Sequence, residues 1–177
     1  VRQRFKRSFD GMFSFATWGN NAANDGVRKA IIESVNTHSD VSFVVISGDL
    51  TETGETAELV AAISTLDDQL EVPWFATLGD RDVSGPVAIS YVDLLGSSTF
   101  AFDVGALRIM VPDTGDRMLG LMTREELQGW FGGSALGWSG DRVPPGSLVI
   151  THVPPFEDNG LRGIGFRSRK EAAAATA

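Results

Sequence analysis

Apolar positions fall into short runs of β-branched and aromatic residues, separated by longer stretches with helical spacing. "MFSFAT", Met12 to Thr17, predicts a first strand that runs into the turn-rich "WGNNAANDG". From Asp25 onward Val27, Ala30, Ile31 and Val35 recur at helical spacing, and the acidic start suits the positive end of a helix. "VSFVVIS", Val41 to Ser47, is the unbroken apolar run expected of a strand buried on both faces. A second helix is predicted near Glu55 to Leu70, with Leu59, Ala62, Ile63, Leu66 and Leu70 as its stripe, and Pro73 then precedes a third strand, "WFATL". Strand, helix, strand, helix, strand is the order of a parallel sheet with right-handed crossovers.

The second half is patterned differently. "STFAFDVGALRIMVPDT" predicts a hairpin turning at Asp103 to Ala106. "TREELQGWF" opens with a capping box, Thr123 with Glu126, and predicts a helix. A glycine- and proline-rich loop, "GGSALGWSGDRVPPG", then leads to "SLVITH", predicted as a buried strand ending at His152 and leaving through "VPPFEDNG".

Four strands end alike, in "GNNA" at Gly19 to Ala22, "GDLT" at Gly48 to Thr51, "GDRD" at Gly79 to Asp82, and "TH" at Thr151 and His152. A glycine before a polar residue lets the backbone turn sharply where side chains converge. In parallel α/β sheets, functional groups collect beyond the carboxyl ends of the strands. Each exit also has a plain structural reading. Asp49 could cap its own loop through backbone amides. Asp80, Arg81 and Asp82 could form a salt-bridged loop, and Asn20 could be a turn residue. His38, in "NTHSD", reads as a surface or capping residue, and Trp18, Trp74, Trp130 and Trp138 as core or rim packing.

Composition narrows the picture further. The 177 residues suit one domain, with residues 1–11 as a basic arm and residues 12–177 as the folded unit. A formal net charge of −8 disfavours nucleic acid as a partner, and no apolar run approaches the length of a membrane span. Cysteine is absent, which excludes disulfides and thiolate metal sites. No signal peptide is visible, and nothing assigns a compartment. The start at Val1 and the uncapped tract "RKEAAAATA" are those expected of a trimmed chain.

Taken in order, "VVISGDLTETG", "VPWFATLGDRD" and "VITHVPPFE" resemble the motifs of the calcineurin-like metallophosphoesterases, with "SFATWGNNA" where their first motif lies. "PDTGDRMLGLMTREELQGW" is similar to the segment that leads to their fourth motif. The resemblance runs from about Phe13 onward. It implies an α/β sandwich of two mixed sheets flanked by helices, with C-terminal strands that are missing from this chain or supplied by another segment or subunit. It also implies two divalent ions (Mn, Fe or Zn) bridged by the carboxylate at Asp49. The positions of the first ion become Asn20, Ala22 and Asp49, and the family's last motif, Gly-His-x-His, has no counterpart in the chain. The positions of the second become Asp49, Asp80 and His152, a workable set for a single ion. The family's catalytic histidine is replaced by Arg81, which cannot serve as an acid but can bind phosphate. Asp82 holds the orienting position beside it and is expected to pair with Arg81. The implied function is a metallophosphoesterase-like domain with a degraded dinuclear centre, at most one ion and little or no phosphatase activity, in a binding or structural role. The alternatives are a hydrolase working with one ion and Arg81 on a phosphate-bearing substrate, or a protein-interaction module on the same scaffold.

Overall fold

The computed structural model describes residues 12–20, 25–105, 107–118 and 146–154. The predicted helix at Thr123, the basic arm, Ala22, Trp130, Trp138 and most of the two loops around "SLVITH" lie outside these residues. Strands β1 (Ser14–Trp18), β2 (Val41–Ile46) and β3 (Trp74–Ala76) alternate with helices α1 (Asp25–Thr37) and α2 (Thr56–Gln69). A short 3₁₀ turn, Asp82–Ser84, and helix α3 (Val87–Leu95) follow, then β4 (Phe100–Val104), β5 (Leu107–Val111) and β6 (Leu148–Val149). The fold is mixed α/β with two small open sheets and three described helices.

The first sheet has the order β1-β2-β3, parallel throughout, as the alternating pattern predicts. The second has the order β4-β5-β6, in which β5 runs antiparallel to β4 and parallel to β6. Only the second is therefore mixed over the described strands. The crossovers through α1 and α2 keep every strand of the first pointing the same way.

Strand β2 explains how the layers stack. Its side chains alternate, so Val44 and Ile46 face the helices while Phe43 and Val45 face the second sheet. On the helical side they meet Ile32 and Val35 of α1 and Leu59, Ala62 and Leu66 of α2. On the other side Phe43 and Phe75 meet Phe102, with ring centroids 5.5 and 4.7 Å away. Fully burying such side chains contributes about 1.5–3 kcal/mol each, so this central strand ties three layers together.

Three local expectations are corrected. The buried face of α1 is Arg28, Ile32 and Val35, while Val27 and Ala30 point outward. Arg28 takes an inward position because its guanidinium reaches the Leu50 carbonyl at 3.3 Å and Asp25 at 3.2 Å. Helix α3 has no counterpart among the predicted elements. Its sequence is apolar almost all round, which conceals the stripe: Val87 and Tyr91 are buried, with the Tyr91 hydroxyl donating to the Ala76 carbonyl, whereas Ile89, Val92 and Leu94 are exposed. Strand β6 is short, and Leu148 and Val149 are exposed rather than buried. It is the outermost described strand of its sheet, and Ile150 continues the pairing through its N–H to the Met110 carbonyl.

Candidate metal centre

The carboxyl ends of β1, β2, β3, β5 and β6 open onto one cleft of about 500 Å³, lined by Gly19, Asn20, Ser47, Asp49, Asp80, Arg81, Arg117, His152 and Val153. The crossing of two exits sets its floor. A Cβ on Gly48 (φ +98°) would meet Gly79 Cα at 2.6 Å and His152 Nδ1 at 2.8 Å. The backbones of β2 and β3 therefore approach too closely for any side chain at this position.

Asp82 locks this crossing. It is fully buried, and its Oδ2 accepts the N–H groups of Asp49 (2.9 Å), Leu50 (3.3 Å) and Gly79 (2.8 Å). Its Oδ1 accepts the Thr51 N–H at 2.8 Å and the Thr51 hydroxyl at 2.7 Å. One carboxylate thus satisfies the turning amides of two loops. The pairing expected between Asp82 and Arg81 is replaced by this clamp, since both oxygens of Asp82 are already committed inward. The loop-capping role that the sequence offered for Asp49 falls to Asp82.

With the loops held, Asp49, Asp80 and His152 converge. One candidate ligand atom from each lies within 4.8 Å of the others. His152 Nε2 is 3.4 Å from Asp80 Oδ1 and 3.6 Å from Asp49 Oδ1. Asp49 is buried, His152 half-buried, and Asp80 exposed. The orientation of His152 is set behind it, where Nδ1 lies 2.7 Å from the Ser47 carbonyl. A carbonyl only accepts, so Nδ1 carries a hydrogen and Nε2 is the ring nitrogen turned toward two carboxylates. A ligating histidine held through its other nitrogen by a backbone carbonyl has the support that metal sites use.

No protein-family profile matches the chain, and no curated protein does.

Asp49 is the strained member of the group. Its backbone is left-handed at φ +60°, an uncommon conformation for a residue with a side chain. Desolvation raises its carboxyl above the usual range, against the opposing pull of His152 and the Arg81 N–H, which donates to Oδ1 at 3.2 Å. A divalent cation would relieve the same desolvation. The donor set, two carboxylates and one imidazole, could hold one such ion.

Arg81 reaches across the cleft. Its Nε lies 3.6 Å from Asp49 Oδ2, and its Nη1 is paired with Glu52. Asn20 lines the cleft with a left-handed backbone of its own, at φ +57°. Arg117 was missed by sequence reasoning, although "TGDR" at Thr114 to Arg117 carries the same glycine–carboxylate signature at the end of an apolar strand. It too is left-handed, at φ +64°. His38 sits away from the site, its ring against the Ser34 carbonyl at the end of α1. None of the described helices is long and apolar enough to cross a membrane.

Proposed function

We propose that the chain is a metallophosphoesterase-like domain that binds one divalent cation, at Asp49, Asp80 and His152, and presents it to a phosphate-bearing ligand with little hydrolysis. The observation that carries this reading is the approach of His152 Nε2 to two carboxylate oxygens while Nδ1 is held by the Ser47 carbonyl. The ordered motifs "GDLT", "GDRD" and "THVPPF", and the packing of two sheets beneath helices, support the family assignment. Arg81 and Arg117 add positive charge for an anionic ligand at the same cleft.

Weak turnover follows from the residues. Two-ion phosphoesterases stabilise both the attacking and the leaving oxygen. Among the described residues the second oxygen of Asp49 faces Arg81 rather than a further donor cluster, and an arginine cannot protonate a leaving group. The bound ion would supply Lewis acidity, while the chain's own residues hold and orient the anion.

Titration of Mn²⁺ into the purified chain tests the proposal. One ion should bind the parent, and binding should fall by at least about tenfold in Asp80→Ala and His152→Ala, each of which removes a ligand. Equal binding by parent and variants would remove the site. Rapid Mn²⁺-dependent cleavage of an aryl phosphate that is lost in His152→Ala would instead favour the single-ion hydrolase.

A further inference from the structure

The loop between β2 and α2 carries a carboxylate placed against the arginine of the cleft. Every residue from Thr51 to Gly54 is pinned. Thr51 is held by Asp82 through its N–H and hydroxyl. The N–H groups of Glu52 and Thr53 both donate to Glu58 Oε2, at 3.2 and 3.0 Å. The Thr53 carbonyl accepts the Ser84 hydroxyl, and the Gly54 carbonyl accepts the Val87 N–H at 3.0 Å. Gly54, at φ +75°, lies so close to Gly85 that an added Cβ would meet its nitrogen at 2.5 Å. The backbone that carries Glu52 is therefore anchored on both sides, and its side chain ends on Arg81 Nη1.

We infer that Glu52 is a tethered anion that occupies Arg81 until the phosphate group of a ligand displaces it, making Glu52 a specificity-determining residue of the cleft. The inference rests on the cleft being the ligand site proposed above. Arg81 sits between two carboxylates of different character. Asp49 is buried and belongs to the cation group, whereas Glu52 is half exposed and free to turn into solvent. An incoming phosphate exchanges with the exposed partner, because releasing Glu52 returns it to water while releasing Asp49 would strand a buried charge. Weak or singly charged anions must compete with a carboxylate whose backbone is already ordered. Ligands that contact both the cation and Arg81 overcome it.

Calorimetric titration of inorganic phosphate tests this in four proteins: the parent, Glu52→Gln, Arg81→Gln and the double variant, each equilibrated with Mn²⁺. Glu52→Gln should tighten phosphate binding about two- to five-fold, the worth of an exposed ion pair. The gain should vanish in the Arg81→Gln background, because the two residues act as a pair. Glu71→Gln, the same charge change on the loop before β3, should leave phosphate binding unchanged. A Glu52→Gln protein that binds phosphate no better than the parent overturns the inference, as does a gain that persists without Arg81. Separate Mn²⁺ titrations read the cation site independently. Loss of Mn²⁺ binding in the parent would reject that site, while the Glu52 comparison is still read from phosphate.

Discussion

Replacing Asp82 with asparagine tests the claim that this residue builds the site without touching its chemistry. The change keeps shape and removes one acceptor atom. In the parent, Oδ2 serves three amides, from Asp49, Leu50 and Gly79, and Oδ1 serves the Thr51 N–H and hydroxyl. The best orientation of the new amide keeps its oxygen on the three-amide side and turns its NH₂ toward Thr51. The Thr51 hydroxyl can rotate to accept, but the Thr51 N–H then faces a donor in a site with no exposure to water. A stranded buried donor costs about 1–3 kcal/mol, and bonds that lose their charge assistance cost more. The expected total is about 3 kcal/mol, which for a domain of this size lowers Tm by roughly 6–12 °C. Urea denaturation followed by tryptophan fluorescence, with the slope compared between proteins, measures the difference. A loss below about 1 kcal/mol would mean that the amides of these loops are satisfied by other groups, and the clamp would not be what gathers the site.

Three further substitutions probe the half-buried Asp113 and the buried Asp49. Asp113 is held above the usual range, first by desolvation, with the Ser98 hydroxyl and the Gly115 N–H pulling the other way. A carboxyl raised in the folded state adds stability below its unfolded value that is lost as pH rises through the folded one. Asp113→Asn should therefore be more stable than the parent at neutral pH, with the difference closing as pH falls toward 3.8, as read by urea midpoints across pH. At Asp49, glycine and alanine both remove the carboxylate but differ in tolerance of φ +60°. Asp49→Gly should be more stable than Asp49→Ala by about 1 kcal/mol, and neither should bind Mn²⁺; equal melting temperatures would refute the strain.

Much of the scaffold was legible because it depends on local pattern. The two faces of β2 follow from its unbroken apolar run, and the parallel sheet follows from the alternation of elements. The glycine–polar strand exits in series were legible from pattern, while the choice of Asp49, Asp80 and His152 among them came from the family resemblance, and the structure brings these three together. What stayed hidden depends on tertiary partners. Helix α3 was missed because Ile89, Val92 and Leu94 blur the stripe that Val87 and Tyr91 define. The rotation of α1 was missed because Arg28 buries its stem to reach the Leu50 carbonyl, which no periodicity encodes. Arg81 and Asp82 are adjacent in sequence and were expected to pair. A carboxylate shared between two crossing loops is the better place for Asp82, and Glu52, far away in the chain, becomes the partner of Arg81.

The local conformations of the cleft bear on why the chain keeps these residues where it does. Among the described residues, those with side chains at positive φ are Asn20, Asp49 and Arg117, and all three line the cleft. Each such conformation costs about 1 kcal/mol or more that a glycine would avoid. Glycine already occupies Gly48 and Gly79, where close approach demands it. The strained positions are instead held by an amide, a carboxylate and a guanidinium aimed at one space. For the stability of the fold that choice is costly, most of all at Asp49, which adds a desolvated carboxyl to an unfavourable backbone. Strain, buried charge and convergence coincide at one cleft, and a cation between Asp49, Asp80 and His152 would offset the desolvation of the Asp49 carboxylate.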